Sequence, residues 1–327
     1  MGSDAGRDAG APAGTPVGRE DLERLLARVR AAVRDPRAGL FGPGSRVWAV
    51  NREAVTFLGG GRAALLQLAH PFVAHAVGQH STTRADPFGR FVRTFEYVFA
   101  MVYGDLEAAL AAARRLHALH ARITGTVDER VGPYAPGTPY AANTAEALLW
   151  VHATLWDTSI QVSELVVGPL APAEKDAYYE ETKRFAWLFG IPDSVLPSTW
   201  SDFRAYVEDM VRGPALVVGR PAAEMARFLL RPPGAWLGPL WGWNAVMTAG
   251  LLPERLRLAY GLPFGRRERA AFDVSLATLR AAWRVLPERL RHLPAYVAAE
   301  RRLAGVDGPD LIGRVTEWMG RSVLGGR

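Results

Sequence analysis

The chain contains no cysteine in its 327 residues. This excludes disulfides, cysteine-ligated iron–sulfur clusters, cysteine zinc fingers and thiolate-bound haem. It leaves the compartment open, since a cysteine-free chain folds in either redox setting. Lysine is nearly as scarce. Lys175 and Lys183 stand alone, so almost all of the 39 basic residues are arginine. The arginines form no run of four and alternate with apolar residues at helical spacing. Despite a formal net charge of +6, that spacing predicts solvated helix faces and ion pairs rather than a nucleic-acid surface. No uninterrupted apolar stretch approaches the roughly eighteen residues a transmembrane helix needs. Strand-like alternation is almost missing too, with Arg46–Val50 and Ala54–Leu58 the short exceptions.

What is present is a 3.6-residue periodicity. Leu22, Leu25, Leu26, Val29 and Val33 mark a helix ending before Pro36. Residues 62–79 read as a second helix, bent or interrupted at Pro71. Asp86-Pro87 is a helix start that runs to Tyr103 and is closed by Gly104. Asp105 opens the next helix, expected to continue past His120 to Gly125. Residues 126–142 read as loop. Asn143 or Thr144 caps a long helix to about Val167, Pro172 opens one to Gly190, and Ser198 caps one ending near Gly213. The rest is helical, cut by Pro and Gly. The fold class expected is all-α: a single large bundle-like domain over residues 19–327. Residues 1–18, all small or polar apart from a few scattered apolar positions, read as a disordered tail rather than a secretory leader, so a cytoplasmic protein is expected.

Five of the seven histidines fall between His70 and His120. His117 and His120 are about 60° apart on one helix. They are either metal or haem ligands or hydrogen-bonded core histidines, and spacing does not separate the two. His152, in Trp150-Val151-His152, reads as a pocket residue or a satisfied core histidine. His80 suits a helix C-terminus, and His292 reads as surface. On the preceding helix, Phe88, Phe91, Val92, Phe95, Val98, Phe99 and Val102 imply burial. Yet Arg90, Arg93, Thr94, Tyr97 and Met101 share one stripe. Buried arginines need anions, which are either protein carboxylates or the carboxylates of a bound cofactor.

Several signatures are lacking. There is no His-Glu-x-x-His, no Glu-x-x-His and no Gly-x-Ser-x-Gly. Gly59-Gly60-Gly61-Arg62-Ala63-Ala64 fits a loose dinucleotide fingerprint without the strands that fingerprint requires, so it reads as a glycine turn that lets the helix at Arg62 pack closely.

The run Phe57 to Pro71, followed by Gln79-His80-Ser81, Asp86-Pro87-Phe88-Gly89-Arg90-Phe91-Val92-Arg93-Thr94, Tyr103-Gly104, His120, Trp150-Val151-His152-Ala153-Thr154 and Tyr178-Tyr179-x-Glu181, resembles the MpaB-type oxygenase and latex clearing protein (rubber oxygenase) family over roughly residues 40–300. The resemblance implies a mostly helical enzyme that binds haem b through a histidine and uses O2 on unsaturated isoprenoid chains. By position, His120 resembles the iron ligand and His117 a neighbouring family histidine, while Arg90 and Thr94 match the Arg and Thr of the haem-pocket motif. Arg93 falls where latex clearing protein has a lysine able to approach the iron. Arginine effectively cannot lose its proton, so the expected distal site is open or water-filled, with Arg93 and Thr94 as the catalytic candidates. The expected substrate is a small apolar, unsaturated, isoprenoid- or lipid-like molecule together with O2. The alternatives are a non-catalytic haem-binding or haem-sensing protein and a cofactor-free helical interaction protein.

Overall fold

The computed structural model of the chain describes residues 14, 16–80, 87–231 and 238–306, with the side chains of residues 87–93 outside that description. Among the described residues there are fifteen α-helices and one two-stranded antiparallel ribbon, the all-α architecture expected. In chain order these are α1 (Arg19–Ala32), α2 (Arg46–Asn51), α3 (Gly60–Leu68), α4 (Pro71–His80), α5 (Pro87–Tyr103), α6 (Leu106–His120), β1 (Thr124–Thr126), β2 (Pro139–Ala141), α7 (Ala145–Val166), α8 (Pro172–Leu188), α9 (Trp200–Arg212), α10 (Arg220–Leu230), α11 (Gly238–Leu251), α12 (Glu254–Ala259), α13 (Arg266–Val285), α14 (Glu288–Arg291) and α15 (Pro294–Leu303). Among the described residues no helix is long and apolar enough to cross a membrane.

α7 is the axis of the fold. It is apolar on almost every side, which is the pattern of a helix enclosed by others. Residues along nearly its whole length are buried, and α2, α3, α8, α9 and α13 all pack on it. The indole of Trp150, fully buried, donates to the Leu66 carbonyl at 2.9 Å, so even this large apolar ring leaves no unpaired N–H in the core. α3 comes close to α7 and α11 because of the glycine turn. A β-carbon on Gly59 would overlap the Thr158 side chain, and one on Gly61 would overlap Thr248.

Three local expectations are corrected. Arg46–Val50 and Ala54–Leu58 are not strands; they form α2 and a 3-10 turn over Ala54–Gly59. Ser45 starts α2 by accepting from the Trp48 amide at 3.1 Å, and a cap of this kind overrides the β preference of Val47 and Val50. The segment 62–79 is interrupted at Pro71, as expected, with Pro71 the first residue of α4. α6 stops at His120 rather than Gly125: Thr124–Thr126 leave the helix to pair with Pro139–Ala141, which also gives the expected loop its one strand. Thr199, not Ser198, caps α9, accepting from the Asp202 amide at 3.1 Å.

The expected tail of residues 1–18 falls mainly outside the described residues. Its last part is held in place. Pro16 bridges Thr144, the Val17 amide donates to the Asn143 carbonyl at 2.9 Å, and the Val17 side chain joins the core. Asp86, the expected cap of α5, also lies outside the described residues, while the expected start at Pro87 and end at Tyr103 are those of the helix.

Candidate functional site

α5 and α6 are joined only by Gly104 and Asp105, and they pack against each other more extensively than any other pair of elements. The Asp105 carboxylate caps α6 by accepting from the Ala108 amide at 2.8 Å. A two-residue connection between packed helices makes an antiparallel hairpin, so the last turn of α6, with His117 and His120, faces the first turns of α5, where Arg90 and Arg93 lie. The side chains of Arg90 and Arg93 are outside the described residues. Thr94 is exposed and His120 is half-buried.

α5 was expected in the core along its length. Among its described side chains, Met101, Val102 and Tyr103 in the last turn are buried, whereas residues 94–100 are half-buried or exposed. Phe57, in the 3-10 turn, packs at a tilt on Phe95 with ring centres 4.8 Å apart and edge-on to Phe99 at 6.1 Å, and the Phe95 and Phe99 rings lie 5.6 Å apart. On α6, Leu116 is partly covered while Leu119 remains 43% exposed beside His120. The open end of the hairpin thus carries apolar and aromatic surface with an imidazole at its edge.

The other histidines lie in different surroundings. His117 Nε2 donates to the Val17 carbonyl at 3.0 Å. His70 is buried, accepts at Nδ1 from the Phe72 amide at 3.3 Å, and is pushed down to about 4 by desolvation. His152 is fully buried, accepts at Nδ1 from the Trp156 indole at 3.0 Å, stacks on Phe185, and is pushed down to about 3 by the same cause. Its Nε2 is a buried atom without a partner. His80 caps α4 near β1, with Nε2 at 3.0 Å from the Thr124 carbonyl. His292 is not a surface residue: its ring is packed edge-on to Tyr296 and lies 3.6 Å from buried Glu53, because the junction of α14 and α15 pairs with the backbone at Arg52 and Glu53. Burial pushes His292 down.

The donor types on the α5–α6 hairpin suit a haem. The half-buried imidazole of His120 sits beside uncovered apolar surface, and the facing helix bears a hydroxyl at Thr94 and guanidinium residues at positions 90 and 93. The deeply buried histidines fit less well, since reaching their ring nitrogens requires repacking the core.

Polar clusters that sequence reading missed lie elsewhere. Asp157, on α7, is buried between Arg62 of α3 at 2.6 Å and Arg204 of α9. Arg62 also donates to Thr158 and, at 3.0 Å, to the Leu251 carbonyl, so every guanidinium nitrogen is used. Desolvation pushes Arg62 down, and the Asp157 carboxylate opposes that. The available sequence signal was a single Asp in an otherwise apolar helix, which demands a cationic partner. A cleft of about 280 Å³ opens beside this trio, lined also by Gln161, Lys175 and Trp200. A second cluster surrounds Glu53, which accepts from the Trp283 indole at 2.7 Å with Arg52 and Arg291 close by.

The family described as "ER-bound oxygenase mpaB/B'/Rubber oxygenase, catalytic domain" matches residues 47–281. Uncharacterized proteins of Mycobacterium bovis and Mycobacterium tuberculosis are each 26% identical to the chain over 235 residues, covering 69% of this chain and 88% of theirs. No solved structure matches.

Proposed function

The chain belongs to the mpaB/rubber-oxygenase catalytic-domain family, and from that premise we propose that it is a haem b-dependent oxygenase acting with O2 on a small, apolar, unsaturated molecule of isoprenoid or lipid type. The observation that carries this reading is the open end of the α5–α6 hairpin, where His120 is half-buried in the last turn of α6 beside exposed Leu119 and the facing helix carries Thr94.

Haem, when bound, supplies the iron that takes up and activates O2. His120 would hold the iron from the last turn of α6. His117, tied to Val17, would support that turn from its other side. Arg90 and Thr94 would hold the cofactor's carboxylates from α5. Arg93, a guanidinium with donors only, would serve as a hydrogen-bond donor toward O2 or a carboxylate and not as a ligand. Phe57, Phe95 and Phe99 form an apolar wall that keeps water away and suits an unsaturated hydrocarbon.

The test is a spectrum of the full chain expressed with ample haem. A Soret band is expected in the wild type and in His117→Ala, and its loss in His120→Ala. Oxygen uptake with unsaturated terpenoids and fatty acids then reads turnover. A wild-type chain that cannot be reconstituted with haem overturns the proposal, as does an unchanged band in His120→Ala. Haem uptake with no O2 consumption across that panel leaves a haem-binding protein without this activity.

A further inference from the structure

His75 is fully buried on α4, and both of its ring nitrogens are engaged. Nδ1 lies 2.8 Å from the Pro71 carbonyl one turn back. A carbonyl only accepts, so Nδ1 is the donor and carries the hydrogen. Nε2 then points at the Asp128 carboxylate, 2.9 Å away. In a neutral imidazole of that tautomer both facing atoms are acceptors, and the contact requires a cation between them, either a proton or a metal ion.

A third donor is present. The Glu129 carboxylate brings a ligand oxygen to the same place, and the three ligand atoms of His75, Asp128 and Glu129 all lie within 4.8 Å of one another. They come from two elements: α4 supplies the nitrogen, and the segment after β1 supplies both oxygens. The imidazole is oriented by a backbone carbonyl on its far nitrogen, which is the usual support of a metal-bound histidine. Asp128 is about half exposed, so an ion has a path from solvent and room for water ligands.

One residue occupies the outer side. Arg220, at the start of α10, places Nη2 2.8 Å from Asp128 Oδ2, and its amide donates to Glu129 Oε1 at 2.8 Å. Arg220 also approaches Glu224 at 3.9 Å, and its side chain is 57% exposed. It can swing outward to solvent. One proton and one guanidinium bring two positive charges to two carboxylates, and a single divalent ion carries the same charge.

We propose that His75 Nε2, Asp128 and Glu129 form a binding site for a divalent metal ion of the zinc class, and that the Arg220 guanidinium competes with the ion for Asp128. One nitrogen and two oxygens suit zinc and its borderline neighbours, while calcium and magnesium prefer oxygen alone. The bound ion pins the segment after β1 to α4, on the side of the fold where α6 ends. The site is independent of haem.

The experiment is calorimetric titration of ZnCl2 into the chelator-treated full chain, repeated with CoCl2 to read visible absorption. One saturable site per chain is expected. His75→Ala and Glu129→Gln should each weaken it at least about tenfold. Glu129→Gln alters a half-buried side chain at the rim and keeps the test valid if His75→Ala fails to fold. Arg220→Gln, which removes the competing cation, should bind zinc more tightly. No saturable binding to the wild type overturns the proposal, as does unchanged affinity in Glu129→Gln or unchanged or weaker affinity in Arg220→Gln. The Soret spectrum in the presence of haem reads His120 separately, so failure of one site does not count against the other.

Discussion

Asparagine in place of Asp157 is expected to destabilise the protein by about 3–5 kcal/mol, the cost of leaving one member of a buried ion pair without its partner. The perturbation is isosteric, so packing is unchanged. What remains is the Arg62 guanidinium, 6% exposed, with neutral acceptors only: the Leu251 carbonyl, the Thr158 hydroxyl and the amide oxygen introduced at position 157. Arg204 is the internal control. It contacts the same carboxylate, but its side chain is 39% exposed and has Glu208 nearby at 3.6 Å. Arg204→Ala leaves Asp157 paired with Arg62 and Glu208 paired with Arg212, so it should cost only about 1 kcal/mol. Replacing both buried partners, as in Arg62→Met with Asp157→Leu, removes the two charges together and should recover most of the stability lost in Asp157→Asn. Urea unfolding of the four proteins at neutral pH gives the comparison. Equal costs for Asp157→Asn and Arg204→Ala, or a double variant no better than Asp157→Asn, would refute the reasoning.

Two further predictions concern the same core. His152 is held neutral in the fold, at about 3 against an ordinary 6.5, so the unfolded chain binds a proton that the folded chain does not. Stability from this group is complete above the unfolded value and is lost as pH falls toward 3; at pH 5 the loss is about 2 kcal/mol. His152→Phe should therefore reduce the fall in urea midpoint between pH 7 and pH 5, and an unchanged fall would place the proton uptake elsewhere, with His70 the next candidate. Gly61→Ala should cost about 1–3 kcal/mol by pressing a methyl group into Thr248. Part of that loss should return in a Thr248→Ala background, measured by thermal melting; equal losses in both backgrounds would remove the proposed contact.

The sequence made the helices legible because their signals are local. Apolar spacing, Asp105 and the Pro87 and Pro172 starts are read within a few residues. The strand errors at Arg46–Val50 and Ala54–Leu58 arose where propensity was opposed by a cap and by burial, both of which depend on neighbours. The glycine run before Arg62 was read correctly as close packing, although its partners, Thr158 and Thr248, lie about 100 and 190 positions away. The histidine spacing on α6 did not reveal that His117 is taken by Val17, because that contact closes a separation of 100 residues. The Arg62–Asp157–Arg204 trio and the His75–Asp128 pair were missed for the same reason. Each joins elements that are remote in the chain, and the charges alone do not specify their partners.

The uneven burial of α5 separates two kinds of constraint along one helix. Its last turn, Met101 to Tyr103, is enclosed by the core, and substitution there unsettles the whole protein. Between Thr94 and Ala100 the same helix lies half in the open, where most replacements change stability little. Apart from Thr94, this middle stretch is therefore the part of the helix that tolerates variation. A new substrate preference can arise by exchanging side chains along those turns while the anchoring turn and α7 keep the fold, so members of this family can diverge in what they oxidise without first acquiring spare stability.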